Sequence, residues 1–176
     1  MTLYLIEASL KGIVSNKEEL EQKVAALQEQ LKQQASELIE VQVSNDYARA
    51  FFIIEGVDQK TAVEILKNAG IAADLVKDVR LVGKELEDVK SGTDVINYLV
   101  EWNLPEDLTM DQYLARKKKN SVHYEEVPEV AFSRTYVCED MSKCLCFYDA
   151  PDEAAVKRAR EAVKTPIDSI TEIQSH

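Results

Sequence analysis

The chain has 176 residues, of which 45% are hydrophobic and 30% are charged, a composition typical of a soluble globular protein. Its net charge of −11 and isoelectric point near 4.7 argue against nucleic acid or a membrane surface as a partner, since both attract basic proteins. No apolar run approaches the roughly 20 residues that cross a bilayer. Three cysteines, an odd number, favour free thiols in a reducing compartment, so we expect a cytoplasmic protein.

The first half of the chain predicts the order β-α-β-β-α-β. The apolar run Leu3–Ser9 has no basic leader and therefore predicts a strand rather than a signal peptide. Ser15 and Glu18 have the spacing of a capping box, which would start a long amphipathic helix that runs to about Glu37. The remaining elements are strands Leu38–Ser44 and Ala48–Glu55, a helix Asp58–Ala69 ended by Gly70, and a strand Asp74–Val82.

The second half predicts the same order after a linker, Gly83–Asp94, which is rich in charges and lacks apolar periodicity. Thr109 and Gln112 form a second capping box, before a helix that runs to about Glu126. The predicted strands are Val95–Asn103, Val130–Cys138, Lys143–Tyr148 and Ser169–Ile173, and the last helix is Asp152–Val163, with Pro151 suited to its first turn.

A shift of 94 residues, which places Tyr4 on Tyr98, aligns the two halves without a gap. It also places Ser15 on Thr109 and other caps, turns and strand ends on one another. We therefore predict two ferredoxin-like repeats, residues 1–82 and 95–176, joined by the linker 83–94.

Two strands of this scheme, Ala50–Ile54 and Cys144–Tyr148, are apolar on both faces, so both faces need cover. Two beads on a linker would expose a large apolar patch on each repeat. The predicted fold is therefore α+β, with two tandem βαββαβ units packed sheet to sheet as a pseudo-dimeric α+β barrel. The expected partner of each repeat is the other repeat, and the whole chain could pair again as a homodimer.

Two motifs of the second half carry a resemblance to a known family. With Tyr98–Glu101 (YLVE) and Cys146–Pro151 (CFYDAP), the segment from Tyr98 to Ile173 resembles small ferredoxin-like domains of largely unknown function. Members of that family are described as nickel-binding or nickel-responsive. The resemblance implies nickel or another transition metal in the second half, because the first half has Phe52 where the second has Cys146.

Four side chains are candidate metal ligands. Cys144 and Cys146 alternate along one strand face, about 7 Å apart, although such cysteines also fill cores as small apolar groups. His123 offers an imidazole, which suits nickel, copper or zinc, or it is a solvated hydrogen-bond partner of nearby glutamates. Glu101 offers an oxygen donor, but its counterpart Glu7 in the first half makes a structural role equally consistent.

Two further features have more than one interpretation. The only basic run, Arg116–Lys119, lies inside a predicted helix and indicates either a solvated face or an anion site. Aromatic residues on the strands indicate core packing or the lining of a pocket. They are Tyr98, Trp102, Tyr136 and Tyr148.

Three functions follow from these patterns. The first is a protein that binds a transition metal, as the family resemblance implies. We expect it to be non-enzymatic because no glycine-rich phosphate loop or Ser/His/Asp signature is present. The second is a small-ligand-binding or monooxygenase-like α+β barrel enzyme, which requires a cavity lined by His123 or Trp102. The third is a structural or regulatory protein-binding module, favoured by the glutamine-rich helix around Gln22–Gln34.

Overall fold

The computed structural model describes residues 2–56, 58–92 and 94–176, so Met1, Val57 and Thr93 lie outside the described residues. It divides into two compact units, one formed by Met1–Val79 with Ile173–His176 and the other by Arg80–Glu172. The predicted linker therefore belongs to the second unit, and it contains a short helix, α3 (Leu86–Lys90). Within the described ranges, no helix is both long enough and apolar enough to cross a membrane.

The first unit contains an antiparallel sheet and two helices. Strand β3 pairs with β1 and β2, and β4 pairs with β1, so the strand order is β4-β1-β3-β2. The last residues of β8 pair with β2. The elements are β1 Thr2–Ser9, α1 Lys17–Gln33, β2 Glu37–Ser44, β3 Arg49–Gly56, α2 Gln59–Asn68 and β4 Ala73–Val82, with the end of β8 Ser169–Ser175.

The second unit repeats this element order. Strand β7 pairs with β5 and β6, and the first half of β8 pairs with β5, which gives the order β8-β5-β7-β6. A 3₁₀ helix, Ser121–Glu126, continues from α4. The other elements are β5 Tyr98–Asn103, α4 Met110–Asn120, β6 Ala131–Cys138, β7 Lys143–Asp149 and α5 Glu153–Ala162.

The strand registers of the two units differ by the same 94 residues as the sequences. Ile6 lies opposite Phe52 in the first unit, and Val100 lies opposite Cys146 in the second. Each unit also has a bulge in the equivalent strand, between Leu38 and Glu40 in β2 and at the corresponding place, between Phe132 and Arg134, in β6.

Each unit has a hydrophobic core of its own. In the first, the apolar stripe of α1 is buried among strand residues that are themselves apolar on that face. In the second, the equivalent core contains cysteines and tyrosines as well as aliphatic side chains. The helix stripe that the sequence predicts is confirmed, with Leu20, Val24, Leu27 and Leu31 all buried.

Of the two predicted capping boxes, only the one in the second unit is confirmed. The box predicted at Ser15 is wrong by one residue: the side chain of Asn16 accepts the Glu19 amide at 2.9 Å and caps α1. Ser15 Oγ instead donates to the Glu19 carboxylate. The second box is confirmed, since Thr109 and Gln112 bond each other's backbone amides.

Other differences concern where elements end. Asp152 is the N-cap of α5, so Pro151 precedes the helix instead of occupying its first turn. The second long helix narrows to 3₁₀ geometry at Ser121, and α1 ends at Gln33, before the predicted Glu37. Gly70 has a φ of 88°, the left-handed conformation in which its lack of a Cβ avoids strain, and it ends α2 as predicted.

Candidate functional site

Strand β7 places two thiols side by side in the second unit. Cys144 and Cys146 lie opposite Trp102 and Val100 of β5 and point to the same face of the sheet. Both cysteines are buried, and the acidity of each thiol depends on the other. The two thiols therefore share one buried face of the strand.

Helix α5 adds a buried cation to this face. The Arg160 side chain is only 2% exposed, although it occupies a helix face that is otherwise apolar. Its Nη1 donates to the Tyr148 hydroxyl at 3.1 Å, and its Nη2 donates to the Pro166 carbonyl at 2.5 Å. Its Nε has no hydrogen-bond partner among the described residues. The two groups to which the Arg160 guanidinium donates are therefore uncharged.

Three tyrosines surround the thiols and the guanidinium. Tyr148 and Tyr124 join their hydroxyls at 2.7 Å, and the Tyr124 ring stacks on Phe132. Tyr113 is buried beside Trp102, with the ring centres 6.2 Å apart. Burial raises the pKa of Tyr148 to about 12 and also raises the pKa values of Tyr124 and Tyr113, so these hydroxyls stay neutral near pH 7.

The two thiols differ in acidity because of their surroundings. Interaction with the Cys144 thiol lowers the pKa of Cys146, and the positive charges of Arg160 and Lys117 act in the same direction. Thr135 Oγ1 also donates to Cys146 Sγ at 3.3 Å. Interaction with the Cys146 thiol, followed by burial, raises the pKa of Cys144. Of the two thiols, Cys146 is therefore the more acidic.

A narrow cavity adjoins these groups. The total volume of the cavity, including its open mouth, is about 350 Å³. Only about 20 Å³ of this volume can be occupied by the centre of a water molecule. That is room for about one water or ion. Its lining consists of Trp102, Tyr113, Arg116, Lys117, Asn120, Ser121, Tyr124, Cys146, Arg160, Val163 and Thr165.

The lining is basic, and none of the described lining residues is an Asp or Glu. The Arg116 guanidinium lies over the Trp102 ring at 5.3 Å and donates to the Lys164 carbonyl at 2.6 Å. Lys117 Nζ lies 4.2 Å from the centre of the Phe132 ring. Two residues of the basic run therefore belong to the cavity, whereas Lys118 and Lys119 are exposed outside it.

The structure brings together only two of the four predicted metal ligands, Cys144 and Cys146. Glu101 lies opposite Leu145, so its side chain points to the other sheet face, where it pairs with Lys143 at 2.9 Å. His123 lies in the exposed 3₁₀ helix, with its Nδ1 2.6 Å from the Glu126 carboxylate. Among residues 2–56, 58–92 and 94–176, no group of three or more His, Cys, Asp or Glu side chains could hold a metal ion.

Sequence reasoning missed Arg160, around which the polar groups are arranged. A signal was present, because the shift of 94 residues places Arg160 on Leu66, a fully buried residue of the first unit. A charged residue at an apolar position of a repeat indicates a polar contact in the core. It does not say which groups provide that contact.

The comparison with protein families gives one match. Residues 98–173 match the model of the family described as nickel responsive protein, SCO4226-like. The match covers the segment in which the YLVE and CFYDAP motifs occur, and it contains the whole cavity lining. No curated protein matches the chain.

The solved structures that resemble the chain share its fold over nearly the full length. A provisionally assigned chlorite dismutase superposes with a TM-score of 0.60 at 13% identity, covering 99% of this chain and 95% of its own. A provisionally assigned monooxygenase from Lactobacillus acidophilus gives 0.51 at 9% identity, covering 99% and 94%. These likenesses concern the fold, and they support the mixed α+β class expected from the sequence.

Proposed function

We propose that this protein binds a thiophilic transition-metal ion through Cys144 and Cys146. The observation that carries the proposal is the pair of buried thiols on one strand face, next to a cavity of ion size. Thiolate–metal bonds of about 2.3 Å would let both sulfurs reach one ion. The match of residues 98–173 to a nickel responsive family supports a metal as the ligand class.

The chain's own donors do not fit a nickel centre made of the four predicted ligands. Glu101 and His123 lie elsewhere, so the described residues supply two sulfurs. Arg160 and Lys117 add positive charge beside the sulfurs, which disfavours a divalent ion more than a monovalent one. Soft thiolate ligands with few oxygen or nitrogen donors select Cu⁺ over Ni²⁺. We therefore infer that the pair prefers Cu⁺.

The test is an anaerobic titration of the reduced, untagged full chain with Ni²⁺, Zn²⁺ and Cu⁺, followed by competition with chelators of known affinity. Cys144→Ser and Cys146→Ser should each weaken Cu⁺ binding by at least about 100-fold, more than the loss of a supporting hydrogen bond causes. Cys138→Ser is the matched control, since Cys138 is a buried cysteine of the same unit that does not line the cavity.

Equal losses in all three variants would contradict the proposal, because they would indicate a general effect on folding. Ni²⁺ binding that survives Cys144→Ser and Cys146→Ser but is lost in His123→Ala or Glu101→Gln would instead restore the wider predicted ligand set. Binding of all three ions no tighter than in the double cysteine variant would remove the metal site altogether.

The enzymatic alternative has weaker support. Trp102 lines the cavity as that alternative requires, but His123 does not. The part of the cavity open to water, about 20 Å³, is far below the roughly 300–1,000 Å³ of pockets that enclose organic ligands. We therefore infer binding, without an enzymatic activity, as the function of the cavity. The protein-binding role of the glutamine-rich face of α1 stays a prediction.

We also infer that the two units are tandem copies of one ferredoxin-like unit. The common order β-α-β-β-α-β, the common register and the matching bulges support the inference. Sheet-to-sheet packing of the copies and formation of a homodimer stay predictions. The copies also indicate which unit carries the function, because only the second has the thiols.

A further inference from the structure

We propose that the cavity at Arg160 is a binding site for a small oxyanion, no larger than formate or nitrate. This ligand class is independent of the metal proposed above. It rests on the unpaired donor of a buried guanidinium, on the basic groups beside it, and on the size of the space that they line. Of the two interpretations of the basic run Arg116–Lys119, a solvated face or an anion site, this proposal selects the anion site.

The buried guanidinium needs an acceptor. Arg160 is 2% exposed, and its Nε–H has no hydrogen-bond partner within the described part of the chain. Leaving a charged donor buried and unpaired costs more free energy than leaving a neutral one. Its two described acceptors, the Tyr148 hydroxyl and the Pro166 carbonyl, carry no formal charge near pH 7. An oxyanion oxygen would supply the missing acceptor.

The mouth of the cavity adds two more cations. Arg116 and Lys117 line it, and no Asp or Glu does so among the described lining residues. The chain as a whole carries a net charge of −11, so a cationic lining is a local departure from its acidic surface. Guanidinium and ammonium groups that converge on one space bind carboxylate-like groups through charge-assisted hydrogen bonds.

The Ser121 and Thr165 hydroxyls of the lining do not compete with the cations for an anion. The hydroxyls of Ser121 and Thr165 already donate to the carbonyls of Lys117 and Val163. The space open to water, about 20 Å³, admits one small molecule or the head of a larger one. Arg160 and Lys117 both line this space, so a small planar oxyanion bound there would lie near both cations.

The experiment is an NMR titration of the reduced, metal-free full chain with sodium formate, at an ionic strength held constant with a bulky organic anion. The Arg160 Nε–H signal should shift and saturate. Lys117→Gln and Arg116→Gln should each weaken formate binding by about fivefold, the effect of losing one partly exposed charge pair. Lys118→Gln is the matched control from the same run, and its affinity should stay within about twofold.

Two results would overturn the anion site. One is a formate shift that grows linearly without saturating, and the other is a loss in Lys118→Gln as large as that in Lys117→Gln. Cys144→Ser separates this proposal from the metal site, because Cys144 does not line the cavity, so this variant should weaken Cu⁺ binding and retain formate binding. Arg160→Met should lose saturable formate binding, read from the backbone amide signals of the other lining residues, and far-UV circular dichroism establishes whether that variant is folded.

Discussion

Several fully buried positions are apolar in the first unit and polar in the second. Separated by 94 residues, the pairs are Leu66 and Arg160, Phe52 and Cys146, Ile54 and Tyr148, and Val41 and Thr135. Polar groups in a core cost free energy unless their hydrogen bonds are satisfied, and here one donor of Arg160 is unsatisfied. The second unit accepts a cost that the first avoids, which is common where a local rule is broken for function.

Other polar groups are common to both units and have a structural role. Glu7 pairs with Arg49 at 2.8 Å in the first unit, and Glu101 pairs with Lys143 at 2.9 Å at the equivalent place in the second. A feature that occurs with and without the thiols does not depend on them. Glu101 therefore forms, like Glu7, an ion pair that needs no metal, and its role as a metal ligand stays a prediction.

Exchanging the residues at one pair of positions should give the largest effect. Leu66→Arg places a charge in an apolar core and should lower the free energy of unfolding by about 3–5 kcal/mol, as an unpaired buried charge does. Arg160→Leu removes a charge but leaves the Tyr148 hydroxyl and the Pro166 carbonyl short of a donor, so it should cost about 1–3 kcal/mol. Urea unfolding followed by circular dichroism measures both.

The asymmetry between the two exchanges is the informative quantity. Equal losses would mean that the core of the second unit is no better adapted to a charge than that of the first. If Arg160→Leu lost more free energy of unfolding than Leu66→Arg, the guanidinium would itself be a main source of stability. Leu66→Met, which keeps the core apolar, is the control and should cost less than about 1.5 kcal/mol.

The sequence predicts much of the fold because apolar spacing and capping are local. The order of strands and helices, the α1 stripe and the Thr109 cap all follow from residues close together in the chain. Ser15 and Asn16 show the limit, since both are good caps and the choice between them depends on where the first turn packs. Such boundary differences of a few residues do not alter the topology.

The candidate site was less predictable because its parts come from separate elements. Cys146 lies on β7, Arg160 on α5 and Lys117 on α4, and no spacing in the sequence shows that they meet. His123 and Glu101 have suitable donor atoms but point elsewhere, because strand alternation and the 3₁₀ turn determine their directions. Residue type identified four candidate ligands, of which only the two cysteines lie together, and their metal binding stays a prediction.

The shared ion pairs should differ in strength because they differ in burial. Lys143 and Glu101 have side chains 13% and 9% exposed, whereas Arg49 is 44% exposed beside a buried Glu7. Lys143→Met should therefore cost about 2–3 kcal/mol, toward the range for a broken buried pair. Arg49→Met should cost about 1 kcal/mol, because water screens its charge. The same urea experiment measures them, and a greater loss in Arg49→Met would contradict the burial argument.

The smallest expected effect is a pH dependence specific to the first unit. His176 donates its amide to the Val41 carbonyl at 3.0 Å and lies against Tyr47, with both ring nitrogens buried and without a hydrogen-bond partner among the described residues. Burial lowers the pKa of His176 below its usual 6.5, and the nearby Lys17 acts in the same direction against Glu21. The folded state therefore favours the neutral ring.

A lowered histidine pKa stabilises the fold above pH 6.5, and that contribution is lost as the pH falls through the folded-state value. The wild-type chain should thus lose more stability than His176→Gln between pH 7.5 and 5.5. Hydrogen exchange of β2 amides measures the loss in the first unit. His123→Gln, in the exposed 3₁₀ helix of the second unit, is the matched control. The same pH slope in His176→Gln as in the wild type would show that the ring does not titrate with folding.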